Sequence, residues 1–223
     1  DDIIKVNPQI IYTSISGYGH TGPYSAKGAL DLVIQAASGF MSITGEPDGP
    51  PLKAGISAGD LFTGLYAAIG TMAMIRHREK TGEGQHLDIA MLDSMMPVME
   101  NAIINYCISG KVPKRIGNRH AVNVPFQDFE TNNHQFAAFC KVLGCEEMID
   151  DPKYATSEAR RQNREECVAK IGDILKQWDT KQLSDALTAA GVANGVINTI
   201  DQVVVDPQIQ AREMIVLITP FAT

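Results

Sequence analysis

The sequence is poor in the groups that staple small folds or hold metal ions. Its four cysteines, Cys107, Cys140, Cys145 and Cys167, are scattered without C-x-x-C pairing. That spacing speaks against a zinc site or a disulfide framework and for free thiols in a reducing compartment, so no metal is expected. Positive charge is also scarce: 19 Lys and Arg stand against 26 Asp and Glu, a net charge of −7. That balance argues against a nucleic-acid partner, since such domains usually carry a basic stripe facing phosphates. Uninterrupted apolar runs stop short of the roughly 18 residues a membrane helix needs, so no membrane partner is expected. The first residues, Asp1, Asp2, Ile3, Ile4 and Lys5, hold neither a start methionine nor a signal peptide and read as the end of a helix. What remains, 44% hydrophobic and 20% charged in 223 residues, suits one large or two small globular domains.

One carboxylate stands out against this background. Asp60 lies between Gly55 and Gly64 at the mouth of a long apolar stretch. Leu61, Phe62, Leu65, Ala68, Ile69, Met72 and Ile75 recur at spacings of three and four, which predicts a buried helix over residues 61–77. Asp60 then sits at the helix N-terminus, where first-turn N–H groups and the dipole favour a carboxylate or a developing oxyanion. The same residues also read as an ordinary helix start: Ser57 with Asp60 three positions on has the form of a capping box with Asp in place of Glu. Spacing alone leaves cap and chemistry open.

Along the rest of the chain the elements alternate. Residues 10–15 form a β-branched run that predicts a buried strand of a parallel sheet. The loop from Gly17 to Pro23 has glycines that suit close approach to a ligand, but it fits neither the G-x-x-x-x-G-K nor the G-x-G-x-x-G pattern. His20 within it reads as a surface residue. Asp31 opens a helix through Ile34, Ala37 and Met41, and residues 44–51 are turn chemistry. Arg76, His77, Arg78 and Lys80 suit the negative end of the 61–77 helix, which Gly82 or Gly84 stops. Residues 85–91 alternate as a strand, and Asp93 with Ser94 opens a helix whose Met95, Met96, Met99, Ile103 and Ile104 face the core or a partner subunit.

Residues 111–120 are the most basic and least regular stretch and read as a linker. Helices are predicted over 136–143, 145–150, 157–178 and 180–190, the last capped by Asp179 or Thr180 and ended by Gly191. A strand over 192–197, a short helix over 201–205, another starting at Asp206 and Pro207 and running through Met214, and a strand over 215–218 complete the chain. The expected organisation is 1–110 as part of a large domain, 111–124 as a linker, 125–197 as a small α-rich domain and 198–223 as a return segment.

Five stretches in one order carry a resemblance. They are Ile15 to Tyr24, Asp31 to Ala36, Gly55 to Gly64, His77 to Gln85, and Pro125 with Phe126 and Gln127. Together they resemble the class III coenzyme A transferases, the family of formyl-CoA transferase and carnitine CoA-transferase that also holds the alpha-methylacyl-CoA racemases. The resemblance implies an α/β fold: a Rossmann-like parallel-sheet large domain whose N-terminal part precedes this chain, plus a smaller α-rich α+β domain, in an interlocked homodimer. Family members carry a further hairpin between the stretches like 127–131 and 136–143, so the resemblance also implies a discontinuity at the junction of Thr131 and Asn132.

On the same grounds Asp60 is implied to be the nucleophile, passing coenzyme A through an anhydride and an aspartyl-CoA thioester. Lys27, Gly28, Ala29 and Leu30 are implied to border the coenzyme A site. Acyl-CoA and a carboxylic acid are the expected substrates, with no permanently bound cofactor and a cytoplasmic or organellar location. Lys27 either meets a phosphate as a point charge or is solvated surface. The racemases carry a histidine where this chain has Leu30, and a leucine cannot take a proton from an α-carbon. A transferase is therefore expected over a 2-methylacyl-CoA racemase or epimerase. A non-catalytic CoA-binding relative, in which Asp60 only caps its helix, is the other alternative.

Overall fold

Parallel strands need a long crossover, and the first part of the chain supplies one. In the computed structural model, which describes residues 2–118 and 133–215, a short helix α1 (Asp2–Val6) leads into strand β1 (Ile11–Ser16). Strand β2 (Gln85–Ala90) pairs with it in parallel, from Ile11 opposite Gln85 to Ser16 opposite Ala90. Between the strands run α2 (Asp31–Ala37), α3 (Phe40–Ile43) and the 24-residue α4 (Ala58–Thr81). The helix expected from Asp31 through Met41 is broken in two because Gly39 adopts a φ of 90°, open to glycine and strained for other residues.

Helix α4 starts three residues before its predicted first turn and ends at Gly82, whose N–H donates to the Arg78 carbonyl. It lies on the sheet, with Thr71 Oγ1 2.8 Å from Thr13 Oγ1 of β1. Its buried residues are the small or slender Ala58, Gly59, Thr63 and Ala67, together with Met74. Leu61, Leu65, Ala68, Ile69, Met72 and Ile75 are exposed, so most of the row predicted to be buried faces outward, and only Phe62 of it packs against the core. β1 is likewise not a buried strand here, since Tyr12 and Ile15 are exposed. By length and apolar composition α4 is also the one helix among the described residues that could cross a bilayer. No uninterrupted apolar run marks it in the sequence because Thr63, Gly64, Gly70 and Thr71 interrupt the apolar residues without adding charge.

After β2 come α5 (Met91–Met95), a 3₁₀ turn over Pro97–Met99 and α6 (Glu100–Ser109). The helix predicted from Asp93 thus begins two residues earlier and is interrupted at Pro97, which cannot donate to the ladder. Met95 and Met99 are buried and Met96 packs partly buried against the cluster that includes Met95, which answers the question of core or partner for them; Ile103 and Ile104 are exposed. Residues 111–118 are irregular but anchored: Arg115 donates to the Gly49 carbonyl at 2.8 Å and the Gly117 N–H to the Gly45 carbonyl at 2.9 Å.

The chain divides into two compact units, Asp1–Asn118 and Arg119–Thr223. The described part of the second is helical: α7 (Asn133–Leu143), α8 (Glu147–Asp150), α9 (Ser157–Gln162), α10 (Arg164–Leu175), α11 (Thr180–Ala189), α12 (Ile200–Val204) and α13 (Pro207–Ala211). The helix predicted over 157–178 is two helices meeting at Asn163, and residues 192–197 form no strand. The α+β character expected of this unit is therefore not found among its described residues. Phe136, Phe139, Cys140, Leu143, Met148, Cys167 and Leu187 close its core. The expectations for 119–124, for Pro125 to Gln127, for the junction at Thr131 and Asn132, and for a strand continuing past Ile215 lie outside the described residues.

Candidate active site

Asp60 is the third residue of α4 and its carboxylate is exposed. Ser57 occupies the N-cap position, but its side chain makes no cap hydrogen bond, so the box expected from Ser57 and Asp60 does not form. A carboxylate from another helix takes its place. Asp31 Oδ1, at the start of α2, accepts the Gly59 N–H at 2.8 Å. It thereby supplies both the acceptor and the negative charge that a helix start favours. The N–H groups of Ala58 and Leu61 are already given to the carbonyls of Ile56 and Ser57, each at 3.0 Å. The Gly59 N–H is thus committed to Asp31 and is not an oxyanion donor.

The second oxygen of Asp31 accepts from Gln35 Nε2 at 2.7 Å. Their spacing of four residues puts the two side chains on one face of α2. Gln35 is wholly buried, and its amide also takes the Ala54 N–H at 2.8 Å and reaches the Ile56 carbonyl at 3.3 Å. Helix α2 therefore grips the segment leading to Asp60 at three points: Ala54, Ile56 and Gly59. Gly59 suits the tight fit, because a Cβ there would stand 3.2 Å from Asp31 Oδ1 and 3.4 Å from Ile34 Cγ2. Thr63 Oγ1 adds a 2.5 Å hydrogen bond to the Gly59 carbonyl. Beneath the turn, Ile34, Ala58, Met91 and Met95 form an apolar floor.

The segment implied to border coenzyme A comes to the same place. Leu30 immediately precedes Asp31 and is 74% exposed. Ala29 is half-buried against the floor and touches the loop after β1, where a Cβ on Gly17 would fall 2.3 Å from the Ala29 Cβ. That loop can pass only as glycine. Gly28 and Lys27 are exposed, and Lys27 Nζ sits 3.8 Å from the ring centroid of Tyr24, which in turn meets Tyr18 edge-on at 5.5 Å. His20 is exposed, as the sequence predicts, yet tied down: its N–H donates to Asp88 at 2.8 Å and its ring nitrogen lies 2.9 Å from Ser14 Oγ. Among the described residues no group of three His, Cys, Asp or Glu is placed to hold a metal ion. Sequence reasoning treated Asp31 as a helix opener and passed over Gln35. The signal for both was an Asp and a Gln four residues apart at the head of an otherwise apolar helix.

A model of CoA-transferase family III matches residues 1–220. The chain belongs to CoA-transferase family III. Among family members it is 41% identical over 217 residues to the succinate–glutarate CoA-transferase of Agrobacterium fabrum, covering 93% of this chain and 54% of that protein. It is 38% identical over 219 residues to the human succinyl-CoA:glutarate CoA-transferase, covering 94% of this chain and 50% of that protein. The chain thus spans about half the length of these relatives. A crystal structure of a CAIB/BAIF family protein from Brucella suis superposes with a TM-score of 0.80 at 39% identity, over 99% of this chain and 63% of that one. The α/β architecture with its small parallel sheet is that of the family.

Proposed function

We infer that this family III chain carries the nucleophile of a CoA-transferase and that Asp60 is that nucleophile. The observation that carries the reading is an exposed carboxylate in the first turn of α4, on a backbone segment held to α2 by Asp31 and Gln35. A residue that only capped the helix would need no such support, and the capping is done by Asp31.

The Asp60 carboxylate attacks the thioester carbonyl of an acyl-CoA, and the C–S bond breaks to release the coenzyme A thiolate and leave an acyl-aspartyl anhydride. The thiolate then attacks the aspartyl carbonyl of that anhydride, expelling the donor acid as its carboxylate and forming an aspartyl-CoA thioester. The acceptor carboxylate repeats both steps in reverse order, which returns Asp60 as a free carboxylate. Each negative charge that develops is offset by one that leaves, so the chain's task is placement and stabilisation of the oxyanions. Ala29 packs on the floor beneath this turn and Leu30 adjoins Asp31, and the segment from Lys27 to Leu30 is read as the border of the coenzyme A site. Relatives named for succinate and glutarate support a dicarboxylic acid as substrate. The exposed row Leu61, Leu65, Ile69 and Met72, with Ile104 and Ile108 of α6, supports the interlocked homodimer that the resemblance implies. Incubating the full-length protein with succinyl-CoA and then hydroxylamine tests the reading. A hydroxamate at Asp60 is expected; unmodified Asp60 in a protein that still transfers CoA would sink it.

A further inference from the structure

We propose that Gln35 is a positioning residue for CoA transfer, acting through the segment that carries Asp60. The proposal rests on the reading of Asp60 as nucleophile. A glutamine with no exposed surface must satisfy its polar atoms inside the protein, because a buried unpaired amide is unfavourable. Gln35 directs all of them at the backbone and side chain that hold Asp60. Its Oε1 accepts from Ala54, and its Nε2 donates to Ile56 and to Asp31, which holds Gly59. Neither helix needs these bonds to stay helical, since α2 and α4 satisfy their interiors through their own backbones. What the bonds determine is where the first turn of α4 stands relative to α2 and to the Lys27–Leu30 segment.

The test compares Gln35→Leu, Gln35→Glu and Asp60→Ala in the full-length enzyme with succinyl-CoA and a dicarboxylic acid acceptor. Gln35→Leu keeps bulk and loses the bonds. Misplacement of the nucleophile by about 1 Å should lower kcat by about 100-fold, with KM for the acyl-CoA changed far less. Gln35→Glu guards against a variant that merely misfolds. It sets a second carboxyl against Asp31, and two carboxyls so close share a proton, one of them titrating well above its ordinary range. Protonated, the new carboxyl donates to Asp31 and accepts from Ala54; ionised, it repels Asp31. The nearest other charged groups on the surrounding elements, Lys53, Asp60 and Asp93, are exposed, and α4 carries no further charge until Arg76 near its far end. The kcat of Gln35→Glu should therefore recover about tenfold, relative to wild type, on acidification across the range in which that proton is regained. A wild-type kcat in Gln35→Leu, or a Gln35→Glu pH profile parallel to that of wild type, overturns the positioning role. If Asp60→Ala is inactive in that case, only the role of Gln35 falls. If Asp60→Ala transfers CoA, the nucleophile reading fails and the role of Gln35 falls with it.

Discussion

The two units of the chain use buried polar groups to different ends. In the second, the guanidinium of Arg160 is buried over the ring of Phe136, with its carbon 4.2 Å from the ring centroid. It donates to the Tyr154 carbonyl at 2.7 Å and to Asn133 Oδ1 and Ser157 Oγ at 3.0 Å each. Those bonds join α7, α9 and the turn between α8 and α9, so they close a core. In the first unit, Gln35 is as deeply buried, yet its bonds position a surface turn that bears one carboxylate. The apolar surfaces differ in the same sense. Phe139, Met148 and Leu187 are fully buried in the helical unit, whereas Leu61, Leu65 and Met72 of α4 are 55%, 59% and 61% exposed. The helical unit closes its core residues away from water, and the sheet unit leaves a row of apolar residues open.

The comparison can be broken most directly at Asp60. Asp60→Ala should reduce CoA transfer by about a thousandfold or more. It should leave thermal unfolding within the roughly 0.3–1 kcal/mol that a first-turn carboxylate contributes through the helix dipole. Steady-state kinetics and a melting curve together check this, and retained transfer would refute the division of labour. Next in size is a pair of truncations in the 223-residue chain. Phe139→Ala should destabilise the helical unit by about 3–5 kcal/mol, against no more than about 0.5 kcal/mol for Leu65→Ala on the exposed row. Urea titration at concentrations where the chain is monomeric separates the two, and equal losses would mean that the chain's own fold covers the row.

Titration sharpens the contrast further. Burial pushes the Cys167 thiol from 9.0 up to about 11. Burial, and then a hydrogen bond to Glu166, pushes Tyr154 from 10.0 up to about 12. Both groups hold their protons more tightly in the folded than in the unfolded chain. The associated stability is thus complete below about pH 9 and lost as pH rises towards about 12. Melting temperatures measured from neutral to alkaline pH should stay flat and then fall across that window. The smallest effect concerns two residues with the same apparent role. Asp179 accepts from Lys181 and Gln182 N–H groups at 3.0 and 3.1 Å, so Asp179→Ala should cost about 1 kcal/mol. Ser57→Ala should change almost nothing, because Ser57 makes no cap bond. Equal losses in chemical denaturation would contradict the assignment of the α4 cap to Asp31.

Much of the architecture was legible in the sequence because it is set by short-range rules. β-branched and alternating runs marked β1 and β2, glycines marked the ends of α4 and α11, and Asp179 marked a cap. The errors share a physical origin. The helix from Asp31 was drawn too long because Gly39 inside it was not treated as a break, and the helix over 157–178 because nothing in its periodicity marks Asn163. Burial on α4 was assigned to the wrong face because hydrophobicity was taken as the guide, whereas close helix-to-sheet contact selects small residues such as Gly70, against Leu87 of β2, and Thr71, against Thr13 of β1. Arg160 reads as an ordinary surface charge in a helix rich in Arg and Glu, and only its neighbours show it to be interior.

By itself the sequence determined most of the elements and the location of one carboxylate at the head of a long helix, since these follow from local pattern, while five stretches in order carried the resemblance to the family. What it left open was whether that carboxylate was a cap or a candidate nucleophile. Tertiary structure decided the capping, because the acceptor for the Gly59 N–H is a residue 28 positions away on another helix. Hydrogen bonds between segments that far apart leave no periodicity behind, and only the folded chain brings Asp31, Gln35 and the turn before Asp60 within reach of one another.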